Sequence, residues 1–364
     1  MMSIEKAPWI ETPLIESASL SKTAGCRVFL KLELLQPSGS FKSRGIGNLI
    51  RNAIQDPANK DKELHIYSSS GGNAGLAAVI AARDLNHPCT VVVPNSTKPS
   101  MVAKLREVGA ADVIQHGDSW FEADTYLRKT FIENQHASSD AKRNIYVHPF
   151  DHPEVWSGAG TMVDEIAREM PPRDGTKKSS FPADVIVCSV GGGGLFNGVV
   201  EGLDRHLESQ KGDDAPEKAA AAEGKVRVLA VETAGADSLA LALRKGVLQS
   251  LPAITSLATS LGALQVSSQT FKLAQSPPAG VDVVSVVCSD AEAAKGVIRL
   301  ADELRLQVEL ACGISVEVGS SPKLRDYVPD LTPESRVVIV VCGGSNVTAE
   351  IIADYRKRLQ DGWV

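Results

Sequence analysis

The chain has 364 residues, 43% of them hydrophobic and 23% charged, with a formal net charge of −6. That length suffices for one large or two ordinary domains with their own cores, and a mildly acidic balance with no basic stripe argues against a nucleic-acid partner. No apolar run approaches the roughly 18 residues of a membrane span, and Met1 to Glu11 lacks the basic start and apolar core of a secretory signal.

Residues 28–32 form the first strand-like run, and Gln36-Pro37-Ser38-Gly39-Ser40-Phe41-Lys42-Ser43-Arg44-Gly45 follows. Pro and Gly break the strand, and a helix pattern begins near Lys42. A lysine beside an aromatic ring at a helix start has its ammonium pKa lowered by desolvation and the helix field, which favours an imine-forming amine. The plain alternative is a surface lysine. The run 65–67 enters Tyr67-Ser68-Ser69-Ser70-Gly71-Gly72-Asn73-Ala74-Gly75-Leu76, where amides and hydroxyls ahead of a helix at 73–83 can hold a carboxylate. Capping of that helix by Ser70 or Asn73 is the alternative, and the two can coexist. Runs at 90–93, 112–115 and 144–147 alternate with helical patterns such as 100–108 and 155–169.

A buried-type run at 184–190 leads into Gly191-Gly192-Gly193-Gly194, and a helix pattern follows. Glycine amides at a helix N-terminus favour a phosphate. The turn is not a dinucleotide fingerprint, because the third glycine position of GxGxxG holds Phe196 or Asn197, and no GK[ST] follows. A Gly-rich turn without function is the alternative. The stretch 208–225, rich in Ala, Glu, Lys, Asp and Gly, reads as a solvated loop. Runs at 226–231 and 281–287 continue the alternation, with a helix at 290–303. Residues 337–341 then end in Cys342-Gly343-Gly344-Ser345-Asn346. Ligands of open parallel sheets bind at the carboxyl ends of strands, although a lone Cys342 also reads as a packed core residue. Strands apolar at consecutive positions suit a parallel sheet covered on both faces, so the expected class is open α/β.

Cys26, Cys89, Cys188, Cys288, Cys312 and Cys342 form no CxxC pair and read as reduced thiols of an intracellular, cytoplasmic protein. No histidine has zinc-site spacing, and His65, His148 and His152 read as structural or surface groups.

The four motifs in this order, from Thr12-Pro13-Leu14 to Asn346, resemble the fold-type II (tryptophan synthase β-like) family of pyridoxal-phosphate enzymes. The resemblance implies two open twisted α/β domains with the cofactor in the cleft between them, residues 43–147 forming the small domain and residues 1–42 with 148–364 the large one. It implies that Lys42 binds pyridoxal 5'-phosphate as a Schiff base and moves the substrate Cα proton. By the same likeness Phe41 packs on the ring, Asn73 bonds its 3′-oxygen, Gly191, Gly192, Gly193 and Gly194 bind the phosphate, and Cys342 faces the ring nitrogen. Ser69, Ser70, Gly71 and Asn73 belong to the substrate loop. Segment 231–238 looks like the family's monovalent-cation loop, with a carboxylate from Glu232, a carbonyl from Ala236 and further carbonyls from Leu261 and Ala263, a set suited to potassium. Helix capping by Asp237 or Ser238 is the alternative reading there. Ala311-Cys312-Gly313 departs from the family's usual loop after Glu309.

Within the family, Gly71 stands where serine racemases carry a serine acid/base, and Ala74 stands where threonine deaminases and racemases usually carry histidine. The implied branch is the serine dehydratases: β-elimination of L-serine, and of L-threonine, with threonine dehydratase and serine racemase as same-fold rivals. A homodimer acting on a small amino acid is the assembly expected by analogy.

Overall fold

A computed structural model describes residues 7–134, 141–172, 181–210 and 225–364. Most of the stretch read as a solvated loop, residues 211–224, lies outside them. The strands run in chain order as β1 (Leu14–Glu16), β2 (Arg27–Lys31), β3 (Glu63–Ser68), β4 (Cys89–Val93), β5 (Asp112–Gln115), β6 (Lys142–Val147), β7 (Val185–Ser189), β8 (Val226–Thr233), β9 (Val281–Cys288) and β10 (Arg336–Val340). They divide between two compact units, Met1–Ile10 with Leu35–Ala159, and Glu11–Leu34 with Gly160–Val364.

The first unit holds a four-stranded sheet in the order β5-β4-β3-β6, parallel throughout. One face, with Ile66, Val91 and Val93, packs on Ile46, Leu49 and Ile50 of the helix Lys42–Gln55 and on Ala74, Ala77 and Ala81 of the helix Asn73–Asp84. The 3–4-residue spacing of those apolar positions is what makes the helices amphipathic. This packing also draws residues 35–42 into the unit. The opposite face, with Tyr67 and Val92, packs on Ala123 and Leu127 of the helix Trp120–Leu127. Adjacent strand residues thus serve opposite helices, as the period of two requires.

The second unit holds a six-stranded sheet in the order β1-β2-β10-β7-β8-β9. Only β1 runs antiparallel to its neighbour. Strands β7 and β10 are buried along their whole length, which is why their sequences show no alternation. The helix Leu310–Ser320 is likewise buried at every position. Inside this unit the fully buried Lys31 of β2 meets Glu165 at 2.7 Å and Glu169 at 3.1 Å, and its ammonium also donates to the carbonyl of Thr12 at 2.6 Å.

Candidate functional site

In the first unit, Lys42 opens its helix with Phe41 in the cap position. The ammonium sits 5.2 Å from the Phe41 ring centroid and donates to the Pro149 carbonyl at 2.6 Å. Pro149 follows β6, so the strand end delivers to the lysine an acceptor that no local motif singles out. Its neighbour His148 accepts from the amides of Asp151 at 2.8 Å and Phe150 at 3.3 Å through Nδ1. The neutral ring therefore carries its proton on Nε2. Burial, partly opposed by the Asp124 carboxylate and aided by the Lys42 charge, pushes the His148 pKa down to about 4.

The Ser69–Asn73 loop leaves the carboxyl end of β3 in the same unit. No side chain caps the helix Asn73–Asp84, whose N-cap is Gly72. The capping alternative for Ser70 and Asn73 is thereby corrected: the Ser70 hydroxyl accepts from the Gly72 amide at 3.3 Å instead. The loop folds tightly onto its helix. A Cβ on Gly75 would lie 1.8 Å from the Ser70 carbonyl oxygen, and one on Gly71 would lie 3.0 Å from the Thr97 methyl. The Ser69 hydroxyl donates to Asp124 Oδ1 at 2.7 Å.

In the second unit, Gly191–Gly194 leave β7 and lead into the helix Gly194–Ser209. Gly193 has φ +100°, and a Cβ there would lie 1.7 Å from Thr270 Oγ1. The turn is held from below. Ser267 donates its amide to the Gly192 carbonyl at 3.1 Å. Thr270 Oγ1 reaches Asn197 Oδ1 at 2.8 Å, and Asn197 Nδ2 reaches Ser267 Oγ at 3.2 Å. All three side chains are buried. Chain order hides this support, because Ser267 and Thr270 lie about seventy residues from the glycines.

Cys342 sits just beyond β10, buried, with its sulfur 3.6 Å from the Ser189 hydroxyl at the end of β7. Burial first and the neighbouring Cys342 second push the Cys312 pKa well above the ordinary thiol range. Nearby, the buried Glu309 accepts from the Asn346 amide at 2.7 Å and from the Ser260 hydroxyl. It thus ties the loop after β10 to the segment carrying Leu261. The sequence did not point to Glu309 as a tie, because both partners are distant.

The cation-type segment folds differently from its capping alternative. Asp237 holds the N-cap position of the helix Ser238–Lys245 without capping it through its side chain. Glu232 does the capping: its two oxygens accept from the amides of Leu239 and Ala240, both at 2.8 Å. Burial nonetheless pushes the Glu232 carboxyl up to about 8, against those amides, which favour the charged form. Ala236 is fully buried, and Leu261 nearly so. Among the described residues no group of three or more His, Cys, Asp or Glu side chains could hold a metal ion. No helix among them is long and apolar enough to cross a membrane.

The residues suit pyridoxal phosphate. A side-chain-free turn at a helix start offers amides to a phosphate, the Cys342 thiol stands just beyond the end of β10, and in the first unit Lys42, with the Phe41 ring beside it, opens a helix. In the second unit the glycine turn and Cys342 follow the carboxyl ends of the parallel strands β7 and β10, where an open α/β sheet binds its ligands. The model of the family described as "Pyridoxal-phosphate dependent enzyme" matches residues 7–343, and the chain belongs to that family. It is 40% identical over 353 residues to an L-serine dehydratase of Saccharomyces cerevisiae, covering 95% of this chain and 96% of that one. It is 36% identical over 350 residues to an L-serine dehydratase/L-threonine deaminase of Mus musculus, covering 95% and 94%. Among solved structures, a fungal L-serine ammonia-lyase from Rhizomucor miehei matches with a TM-score of 0.79 and 32% identity, covering 97% and 99% of the two chains.

Proposed function

We propose that this chain is a pyridoxal-phosphate-dependent L-serine ammonia-lyase that also accepts L-threonine. The observation that carries the cofactor is the Gly191–Gly194 turn, where Gly193 leaves no room for any side chain. The serine and threonine substrates are supported by the names of relatives that align along nearly the whole chain. When bound, the cofactor supplies an electron-withdrawing ring that acidifies the substrate Cα–H.

The chain's own groups do the rest. The amides of Gly191, Gly192, Gly193 and Gly194 would hold the phosphate, Phe41 would pack on the ring and Asn73 would bond its 3′-oxygen. The Cys342 thiol would face the ring nitrogen. It brings no carboxylate there to stabilise a protonated pyridinium, which favours prompt departure of a β-group over long-lived charge at Cα. Ser70 and the amides of the Ser69–Gly72 loop orient the substrate carboxylate. Lys42 Nζ takes the Cα proton, and the β-hydroxyl leaves as water on receiving a proton in return, so the elimination of H2O leaves the proton count of the site unchanged. Hydrolysis of the released enamine gives pyruvate and ammonia, or 2-oxobutanoate from threonine. Gly71 offers no proton on the opposite face, which disfavours racemisation. We place potassium at Glu232 and the carbonyls of Ala236, Leu261 and Ala263, and take the working form to be a homodimer in the cytoplasm, as expected by analogy with the family.

The test is pyruvate release from L-serine with D-serine measured in parallel, together with an absorption band near about 410–420 nm that a lysine imine of this cofactor gives. Lys42→Ala should abolish both band and pyruvate. Colourless protein that cannot be reconstituted, or D-serine formed as fast as pyruvate, contradicts the reading.

A further inference from the structure

Asp124 lies buried at 4% exposure in the helix Trp120–Leu127, against the sheet face lined by Tyr67 and Val92. An apolar cluster is a costly place for a carboxylate, and such a group is kept only when donors meet its oxygens. Here they do. Oδ1 accepts from Ser69 Oγ at 2.7 Å and from Tyr146 OH at 2.5 Å, and Oδ2 meets Arg128 Nε at 3.0 Å. Ser69 follows directly on β3, and Tyr146 lies near the end of the neighbouring strand β6. Asp124 thus bridges two adjacent strands at the carboxyl edge of their sheet, where an open α/β sheet places its ligands.

A hydroxyl has one proton to give. With the Ser69 proton committed to a buried carboxylate, that side chain has none left for a substrate carboxylate. We propose that Asp124 is a positioning residue for the substrate loop, holding Ser69 by its hydroxyl so that the Ser69–Gly72 amides and the Ser70 hydroxyl meet the amino-acid carboxylate. The proposal rests on the reading of this loop as substrate-binding, and it moves Ser69 from direct ligand to anchor point. Charge-assisted hydrogen bonds are about twice as strong as neutral ones, which suits an anchor for a loop containing Gly71 and Gly72.

The test compares holoenzymes of the wild type, Asp124→Ala, Ser69→Ala, the double variant and Asp124→Asn. Five quantities are read: KM and kcat for L-serine, the Kd of glycine from the change in cofactor absorption, amide exchange across residues 69–72, and Tm. Glycine has the carboxylate but no β-leaving group, so its Kd reports binding without the elimination step. Asp124→Ala should raise KM and the glycine Kd about tenfold, the scale of one lost charge-assisted bond. kcat should change less than about threefold and the absorption band should persist. Ser69→Ala should match it, and the double variant should add nothing further. Asp124→Asn keeps an oxygen acceptor and should restore most of the affinity. Exchange at residues 69–72 should quicken in Asp124→Ala. Three outcomes overturn the proposal: a lower Tm with KM and glycine Kd unchanged, no recovery in Asp124→Asn, or a further loss when Ser69→Ala is added to Asp124→Ala. A wild type that binds glycine but releases no pyruvate would fail the functional reading alone, leaving the anchor to be judged on glycine affinity and exchange.

Discussion

At Gly193 the backbone takes φ +100° while Thr270 Oγ1 lies where a Cβ would have to go. Left-handed backbone is strained for any residue bearing a Cβ, at about 1–3 kcal/mol, and the clash here comes on top. Gly193→Ala should therefore collapse the turn rather than trim a contact. The expected result is a preparation that loses its cofactor on dialysis, with a pyridoxal phosphate Kd raised at least about tenfold, measured by absorption titration. Retention of the cofactor at wild-type affinity would show that the phosphate lies elsewhere. Glu232 yields a second residue-scale expectation. With its carboxyl pushed up to about 8, it is largely protonated at neutral pH, and a cation at the site proposed there would have to displace that proton. Potassium affinity should then climb as pH rises through about 8 and level off above it. The rise in Tm on replacing choline by potassium should be larger at pH 8.5 than at pH 6.5. An increment independent of pH would remove Glu232 from the cation site.

At the scale of elements, the legible features were those written in neighbouring residues. The all-apolar runs of β7 and β10, the glycine turn between strand and helix, and the start of a helix at Lys42 could each be read locally. What could not be read is side chains meeting across the chain. Asp124 is 55 residues from Ser69, Thr270 is 73 from Asn197, and each looks in sequence like an ordinary polar residue. The helix Ser238–Lys245 is similar: two polar residues stood at its start, yet the cap comes from Glu232 on the preceding strand. Lys31 is the most consequential element-scale case. It joins β2 to the helix Pro153–Glu169 through Glu165, both side chains lying out of water. Removing Lys31 takes the ammonium from the buried Glu165 carboxylate, at about 3–5 kcal/mol. Lys31→Ala should therefore destabilise the protein more than the paired change Lys31→Met with Glu165→Leu, which removes both charges and keeps the volume. Denaturant midpoints at equal slope would show it, and equal losses from the two would mean the pair carries little.

At the scale of the whole molecule, the larger sheet is assembled from two stretches of chain separated by residues Leu35–Ala159 of the first unit. Strand β2 supplies the parallel partner of β10 along five residue pairs, Arg336↔Arg27 to Val340↔Lys31. Without residues 11–34, β10 becomes an edge whose Val337, Val338, Ile339 and Val340 are all fully buried in the intact chain. A long apolar edge is a template for pairing with other chains, and Glu165 loses its ammonium at the same time. A fragment of residues 160–364 should therefore aggregate on refolding. Supplying residues 11–34 as a separate peptide should recover part of the soluble material by restoring both the strand and Lys31. The first unit has no such dependence for its sheet, since β3, β4, β5 and β6 all come from one continuous stretch. A monomeric 160–364 fragment with a cooperative melt, indifferent to the peptide, would show that β10 does not need β2 and that the sheet is completed in another way.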